Sequence, residues 1–233
     1  MAQQGEGWIA SSQGLLAMTE HAIERTNDVP VSQHDYQLIV GADSTRPPLI
    51  LFHGSGRHEA DMVPLAAELS PQSTAIAVRG AIAWDDGYAF FRRFADRSID
   101  EGSILTQAPI LAEFIVGVCD RHGLLARPVL VGFSNGAIMA AALVSMYPDL
   151  AAGAVLLRPL PPFATPPGTR LSGTAVIIID GSRDDRRMPD DGRRLAEQMN
   201  EAGAAGTHHQ LAAGHAVIAA DCVLVREWLA AHF

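Results

Sequence analysis

Residues 128–144 read PVLVGFSNGAIMAAALV. The run begins as a bare apolar strand and ends as an alanine-rich helix. A lone serine, Ser134, stands at the junction between Gly132 and Gly136. A core segment has no need of a hydroxyl there, and a plain turn would accept the glycines without it. The pattern is G-x-S-x-G in a strand–turn–helix setting. So sharp a turn strains the serine backbone and drives side chains two residues away on either side into collision, and glycine at both places removes the clash. The serine oxygen is raised above the sheet edge, and the helix N-terminus behind it favours developing negative charge. With 13 serines and 21 glycines in 233 residues, roughly 0.1 such pattern is expected by accident, so the flanking strand and helix carry the assignment of Ser134 as a nucleophile.

Outward from this junction, strand and helix alternate from residue 36 onward. YQLIV (36–40), PLILF (48–52), TAIAV (74–78), GAVLL (153–157), TAVIIID (174–180) and HHQL (208–211) read as further strands. Helices are expected over 60–70, 100–122, 135–147, 190–202 and 217–231. Several strands are continuous apolar runs, as a sheet covered on both faces requires. The pattern predicts an α/β fold, a mostly parallel central sheet with helices on both faces and no large cap domain. Functional residues should then gather at the carboxyl ends of the strands. The two longest connections, RGAIAWDDGYAFFRRF (79–94) and RPLPPFATPPG (158–168), read as loops.

Residues 31–233 form a single domain in this reading, and residues 1–30 an extension of different character. Leu15, Met18, Ala22 and Ile23 there have helical spacing. A surface helix, an arm joining a homodimer, and a variable extension all remain open for it.

Net charge is −9, from 17 basic and 26 acidic residues, with no basic block. Nucleic acid and anionic membrane are therefore poor partners. The start of the chain lacks a basic region followed by an apolar core, and no apolar run reaches the ~20 residues that span a bilayer. Cys119 and Cys222 lie far apart and read as buried thiols. Together these features lead to the expectation of a cytoplasmic protein.

A serine nucleophile needs a base, and the base an orienting acid. In sheets of this type the chain order is serine, acid, histidine. His208 and His209 lie in a strand and His232 next to the C-terminus. His215, in L-A-A-G-H-A, sits in the loop between the last strand and the last helix, where an imidazole can reach Ser134. TAVIIIDGSRDD delivers Asp184 and Asp185 just past a buried strand, and spacing alone does not separate them. An oxyanion hole needs two backbone N–H groups. One is expected from Asn135 and the other from F-H-G-S-G (52–56), at Ser55, with His53 ordering that loop.

LFHGSG, the RG…FFRR…D segment (79–100), VGFSNGA, LRPLPP, GSRDD and GH together resemble the serine α/β-hydrolases grouped as phospholipase/carboxylesterases. Within that group the likeness is to the small dienelactone-hydrolase-like carboxylesterases, and it covers about residues 36–233. The resemblance implies the α/β-hydrolase fold, a Ser134, Asp184, His215 triad, oxyanion amides at Ser55 and Asn135, and neither a cofactor nor a metal. Asp184 is chosen by the family pattern G-x-x-D, counted from Gly181. True dienelactone hydrolases use a cysteine nucleophile, whereas this chain has serine.

Trp84, Phe90, Phe91, Leu160 and Phe163 belong to the two long loops and are expected to line an acyl or aryl pocket, with core packing the competing reading for Phe90 and Phe91. Arg79 and Arg158 also follow strands and read as structural ion pairs rather than substrate ligands. The expected function is hydrolysis of small carboxylic esters, thioesters among them, through an acyl-enzyme. Hydrolysis of lactones or of carbon–carbon bonds in ring-cleavage products is the alternative, and a hydrolase-shaped binding protein a third reading.

Overall fold

A computed structural model of the chain describes residues 34–233. The extension at residues 1–30, its helical spacing and the first residues of the expected domain lie outside the described residues. Seven strands form the sheet: β1 (Tyr36–Ile39), β2 (Leu49–Phe52), β3 (Ala75–Val78), β6 (Val129–Phe133), β7 (Gly153–Leu157), β8 (Ala175–Gly181) and β9 (Ala205–Leu211). Their order is β1-β3-β2-β6-β7-β8-β9. β1 runs antiparallel to β3, and every other neighbouring pair is parallel.

The apolar runs are explained by burial on both faces. All residues of β2, β3 and β7 are buried, and their side chains alternate between two cores. Ile50 and Phe52 join one face and Leu49 and Leu51 the other. The first face is covered by α2 (Glu101–Arg121), α3 (Asn135–Met146) and α4 (Asp191–Glu201), the second by α1 (Val63–Leu69) and α5 (Ala219–His232). Cys119 and Cys222 are buried thiols on opposite faces.

α3 is buried from Asn135 through Val144. A helix enclosed all round is apolar all round, and its four alanines let it lie close to β2, β6 and β7. α2 begins at Asp100, whose carboxylate accepts the Ser103 N–H at 2.9 Å. Its 21 residues are long and apolar enough to cross a bilayer, against the sequence expectation that no run reaches that length. Ile104, Ala108, Leu111, Ala112, Ile115 and Val118 spend that hydropathy on the sheet instead.

Two elements depart from the sequence reading. The 79–94 stretch read as a loop contains a hairpin, β4 (Ile82–Trp84) with β5 (Gly87–Ala89), turned at Asp85 in the left-handed region, φ 49°. β9 starts three residues earlier than HHQL because Ala205 through Thr207 pair with Ala175 through Ile177 of β8.

Candidate active site

Ser134 ends the β6 ladder and precedes α3, with φ 55° and ψ −110°. That is strained backbone for a side-chain-bearing residue, and its surroundings hold it there. Its N–H donates to the Leu157 carbonyl at 2.9 Å, and the next N–H but one, of Gly136, donates to the His53 carbonyl at 3.0 Å. A Cβ at Gly136 would overlap the Phe52 backbone, and one at Gly132 would press on Ala137. The two glycines are thus required by close approach of α3 to β2 and β6.

His215 comes from the loop between β9 and α5. Its Nε2 lies 2.9 Å from Ser134 Oγ and its Nδ1 2.7 Å from Asp184 Oδ2. An ionised carboxylate only accepts, so Nδ1 carries the proton and Nε2 is left to accept from the serine. Burial of the imidazole lowers its pKa below the ordinary value, Asp184 opposes that, and Arg187 adds to the lowering. The ring is therefore held neutral near pH 7, the state a base needs.

Asp184 sits three residues past Gly181 at the end of β8. Its side chain is 0% exposed, and its other oxygen accepts the Arg186 N–H at 2.9 Å. Asp185 is exposed. The two neighbouring acids are separated by orientation, since only one points under the sheet edge. His208 pairs with Asp180 at 2.7 Å, and His232 Nδ1 donates to the Trp228 carbonyl within α5; neither contacts Ser134.

The loop after β2 is ordered by the buried His53. Its Nε2 accepts the Gly80 N–H at 3.0 Å, so Nδ1 donates to the Gly54 carbonyl at 2.8 Å. The β4–β5 hairpin lies against the same loop, with the Gly56 N–H on the Tyr88 carbonyl and the Tyr88 N–H on the Arg57 carbonyl. Ser55, between these anchors, is exposed, and its N–H meets no backbone acceptor among the described residues. Asn135 is the first residue of α3, so its N–H has no partner one turn back. The two amides expected of an oxyanion hole belong to the segments that follow β2 and β6, which are neighbours in the sheet.

No protein-family model matches the sequence. A solved carboxylesterase from Mesorhizobium loti is 33% identical, covers 85% of this chain and 95% of its own, and superimposes with a TM-score of 0.81. The chain belongs to the phospholipase/carboxylesterase family of α/β-hydrolases. A Bacillus cereus carboxylesterase is 28% identical over 87% of this chain and 96% of its own, TM-score 0.83. MhqD of Bacillus subtilis (strain 168), a hydrolase by name, is 28% identical over 77% of this chain and 90% of its own length.

Within this carboxylesterase fold, the expected pocket aromatics need correction. Phe90 and Phe91 are 1% and 0% exposed and belong to the core. The buried Asn135 side chain draws them in, since its Oδ1 accepts the Phe90 N–H at 2.8 Å and its Nδ2 donates to the Phe91 carbonyl at 3.3 Å. Phe90 then packs edge-on against Phe52. Phe163 is also core, lining a small cavity with Ser145, Leu171, Leu195 and Met199, none of them part of the serine site. Leu160 is half-buried against the same core. Trp84, half-buried, ends β4 on the hairpin beside the Ser55 loop. The ring beside the imidazole is Phe133, 5.2 Å from His215 between centroids.

Two arginines matter more to the site than their sequence positions suggest. Arg158, just past β7, is fully buried in a two-bonded ion pair with Asp221 at 2.8 and 2.9 Å. It also donates to the carbonyls of Gly214 at 3.0 Å and Ala216 at 3.1 Å, on either side of His215. Arg79 forms the expected structural ion pair, with Glu59 at 2.6 and 2.7 Å and with Asp35. Arg187, three residues past Asp184, was not singled out from the sequence. Its Nη2 donates to Ser134 Oγ at 3.0 Å, while Nε donates to the Arg158 carbonyl and Nη1 to the Arg186 carbonyl.

Proposed function

We propose that this protein is a serine carboxylesterase that hydrolyses small carboxylic esters, and thioesters by the same route, through an acyl-enzyme on Ser134. The observation that carries the reading is the relay from Ser134 Oγ to His215 Nε2 at 2.9 Å and from His215 Nδ1 to Asp184 Oδ2 at 2.7 Å. His215 takes the serine proton as Oγ attacks the ester carbonyl. Asp184 keeps the imidazole in the tautomer that accepts, and balances the imidazolium that forms. The tetrahedral oxyanion is met by the N–H groups of Ser55 and Asn135, each worth about 3 kcal/mol in the transition state. His215 then protonates the departing alcohol or thiol, and a water activated by the same imidazole releases the acid. The carboxylesterases of Bacillus cereus and Mesorhizobium loti support an ester as the bond broken.

Ser134→Ala tests this directly. Hydrolysis of a short-chain aryl ester should fall by on the order of 10⁴- to 10⁶-fold, and a fluorophosphonate should label the wild type on Ser134 and leave the variant unlabelled. Unchanged turnover in the variant ends the proposal. A kcat/KM for lactones far above that for open esters would move the substrate assignment to lactones.

A further inference from the structure

The contact between Arg187 and Ser134 Oγ is not needed by the relay just described. Two of the three guanidinium nitrogens are tied to backbone carbonyls, Nε to Arg158 at 2.8 Å and Nη1 to Arg186 at 2.9 Å. The group is thereby held rigid, with Nη2 aimed at the nucleophile. Arg93, half-buried after the hairpin, is near enough for its charge to act on Arg187, whose pKa is pulled down to about 10, by burial first and by Arg93 second. Burial likewise lowers Arg93.

Neither cation has an acid to balance it. The carboxylates whose fields reach Arg187 are each engaged elsewhere. Asp184 holds His215, Asp180 holds His208, and Asp191 holds Arg194 at 2.6 Å and the Met188 N–H at 2.7 Å. Arg93 donates to the Arg97 carbonyl and lies over the Phe91 ring. Among the described residues, neither Arg93 nor Arg187 has a carboxylate within ion-pair distance. Buried charge is tolerated in proteins when it is paired, and here the missing partner faces the reacting serine.

Position in the sheet says which part of a substrate would meet it. The amides proposed for the oxyanion follow β2 and β6, whereas Arg187 reaches Ser134 from the loop after β8, on the other side of β6 in the strand order. Arg187 is therefore not directed at the carbonyl oxygen. It faces a substituent of the bound ester. We propose that Arg187, backed by Arg93, is a carboxylate-recognition site beside the nucleophile, and that the preferred substrates are esters whose acyl part carries a free carboxylate a few carbons from the reacting carbonyl. This deepens the esterase reading and rests on it. A hemiester of a short dicarboxylic acid has the required chemistry: its carboxylate takes the Nη2 donor of Arg187, which exchanges Ser134 Oγ for a charged acceptor.

The test compares p-nitrophenyl hemiglutarate with its neutral, size-matched amide, p-nitrophenyl glutaramate, after subtraction of the uncatalysed rates. In the wild type, kcat/KM should favour the anion by about 10- to 100-fold, the range of one hydrogen bond to a charged group. Arg187→Met should bring that ratio to about one whatever happens to the neutral ester, and Arg187→Lys, which keeps the charge but loses the two backbone tethers that aim it, should retain part of it. If the variants do not fold, the wild type alone still decides. Glutarate should inhibit hydrolysis of the neutral ester competitively and lose potency with added salt, while glutaramide should not inhibit. A wild-type ratio at or below one, a ratio unmoved by Arg187→Met, or equal inhibition by glutarate and glutaramide overturns the carboxylate site and leaves the esterase standing. No turnover of either ester, with Ser134 unlabelled by fluorophosphonate, takes down both.

Discussion

Replacing Arg158 separates what holds the fold together from what aims the base. Arg158→Met removes the guanidinium but keeps a long side chain at a position whose backbone stands at φ 55°. Two losses follow. Asp221, buried at 0% exposure, is left without its cation, and an uncompensated buried charge of this kind costs about 3–5 kcal/mol. That is a large share of the roughly 5–15 kcal/mol by which domains are stable. The second loss is the pair of donors on the Gly214 and Ala216 carbonyls, which fix the loop on either side of His215. A displacement of about 1 Å in a catalytic group costs on the order of 10²-fold in rate.

Adding Asp221→Asn to Arg158→Met divides the two. Asparagine removes the orphaned charge and keeps an acceptor for the Ile218 N–H that opens α5. Urea unfolding should show most of the lost stability regained in the double variant. Its kcat/KM for a neutral aryl ester should remain down by on the order of 10²-fold, because neither side chain grips the His215 loop. A double variant that recovers wild-type kcat/KM along with its stability, or an Arg158→Met variant that unfolds at the wild-type midpoint, would refute this double role of Arg158.

Two further expectations concern the charges around the imidazole. Because burial and Arg187 both lower the His215 pKa, the acid limb of kcat/KM should have its midpoint below 6.5, activity falling as pH drops through it. Removing a neighbouring positive charge favours the imidazolium, so Arg187→Met should shift that limb to higher pH; a shift to lower pH in the pH–rate profile would contradict the arrangement. Asp184→Asn should lower kcat by about 10⁴-fold through the wrong imidazole tautomer, whereas Asp185→Asn, altering an exposed side chain, should leave steady-state rates near wild type; equal losses in the two would mean that the acid has been misassigned.

Much of the site could be read from short range. Ser134 between two glycines, His215 after a glycine in a strand–helix loop, and two acids just past a buried strand are features of neighbouring residues. Their chain order adds the rest, since a parallel sheet brings successive strand ends to one edge. The strand assignments survived for the same reason: an apolar run of five to seven residues, as in 153–157 or 174–180, reports burial on both faces whatever covers it.

Other features depended on partners distant in the chain. The sequence left Phe90 and Phe91 between pocket and core, because the deciding contact is the Asn135 side chain, more than forty residues away. The β4–β5 hairpin escaped notice because three-residue strands are too short to show alternation, and its stability comes from lying on the 53–57 loop. The choice between Asp184 and Asp185 needed side-chain direction, which spacing does not contain. Arg158 clamping the His215 loop and Arg187 meeting Ser134 are unreadable locally, since an arginine after a strand looks the same whether it points to solvent or across the sheet edge. By itself, then, the sequence determined which residues could do chemistry and the edge at which they would stand. Only the packing of loops from β2, β7, β8 and β9 decided which side chains touch, because long flexible side chains take their direction from distant neighbours rather than from the residues beside them.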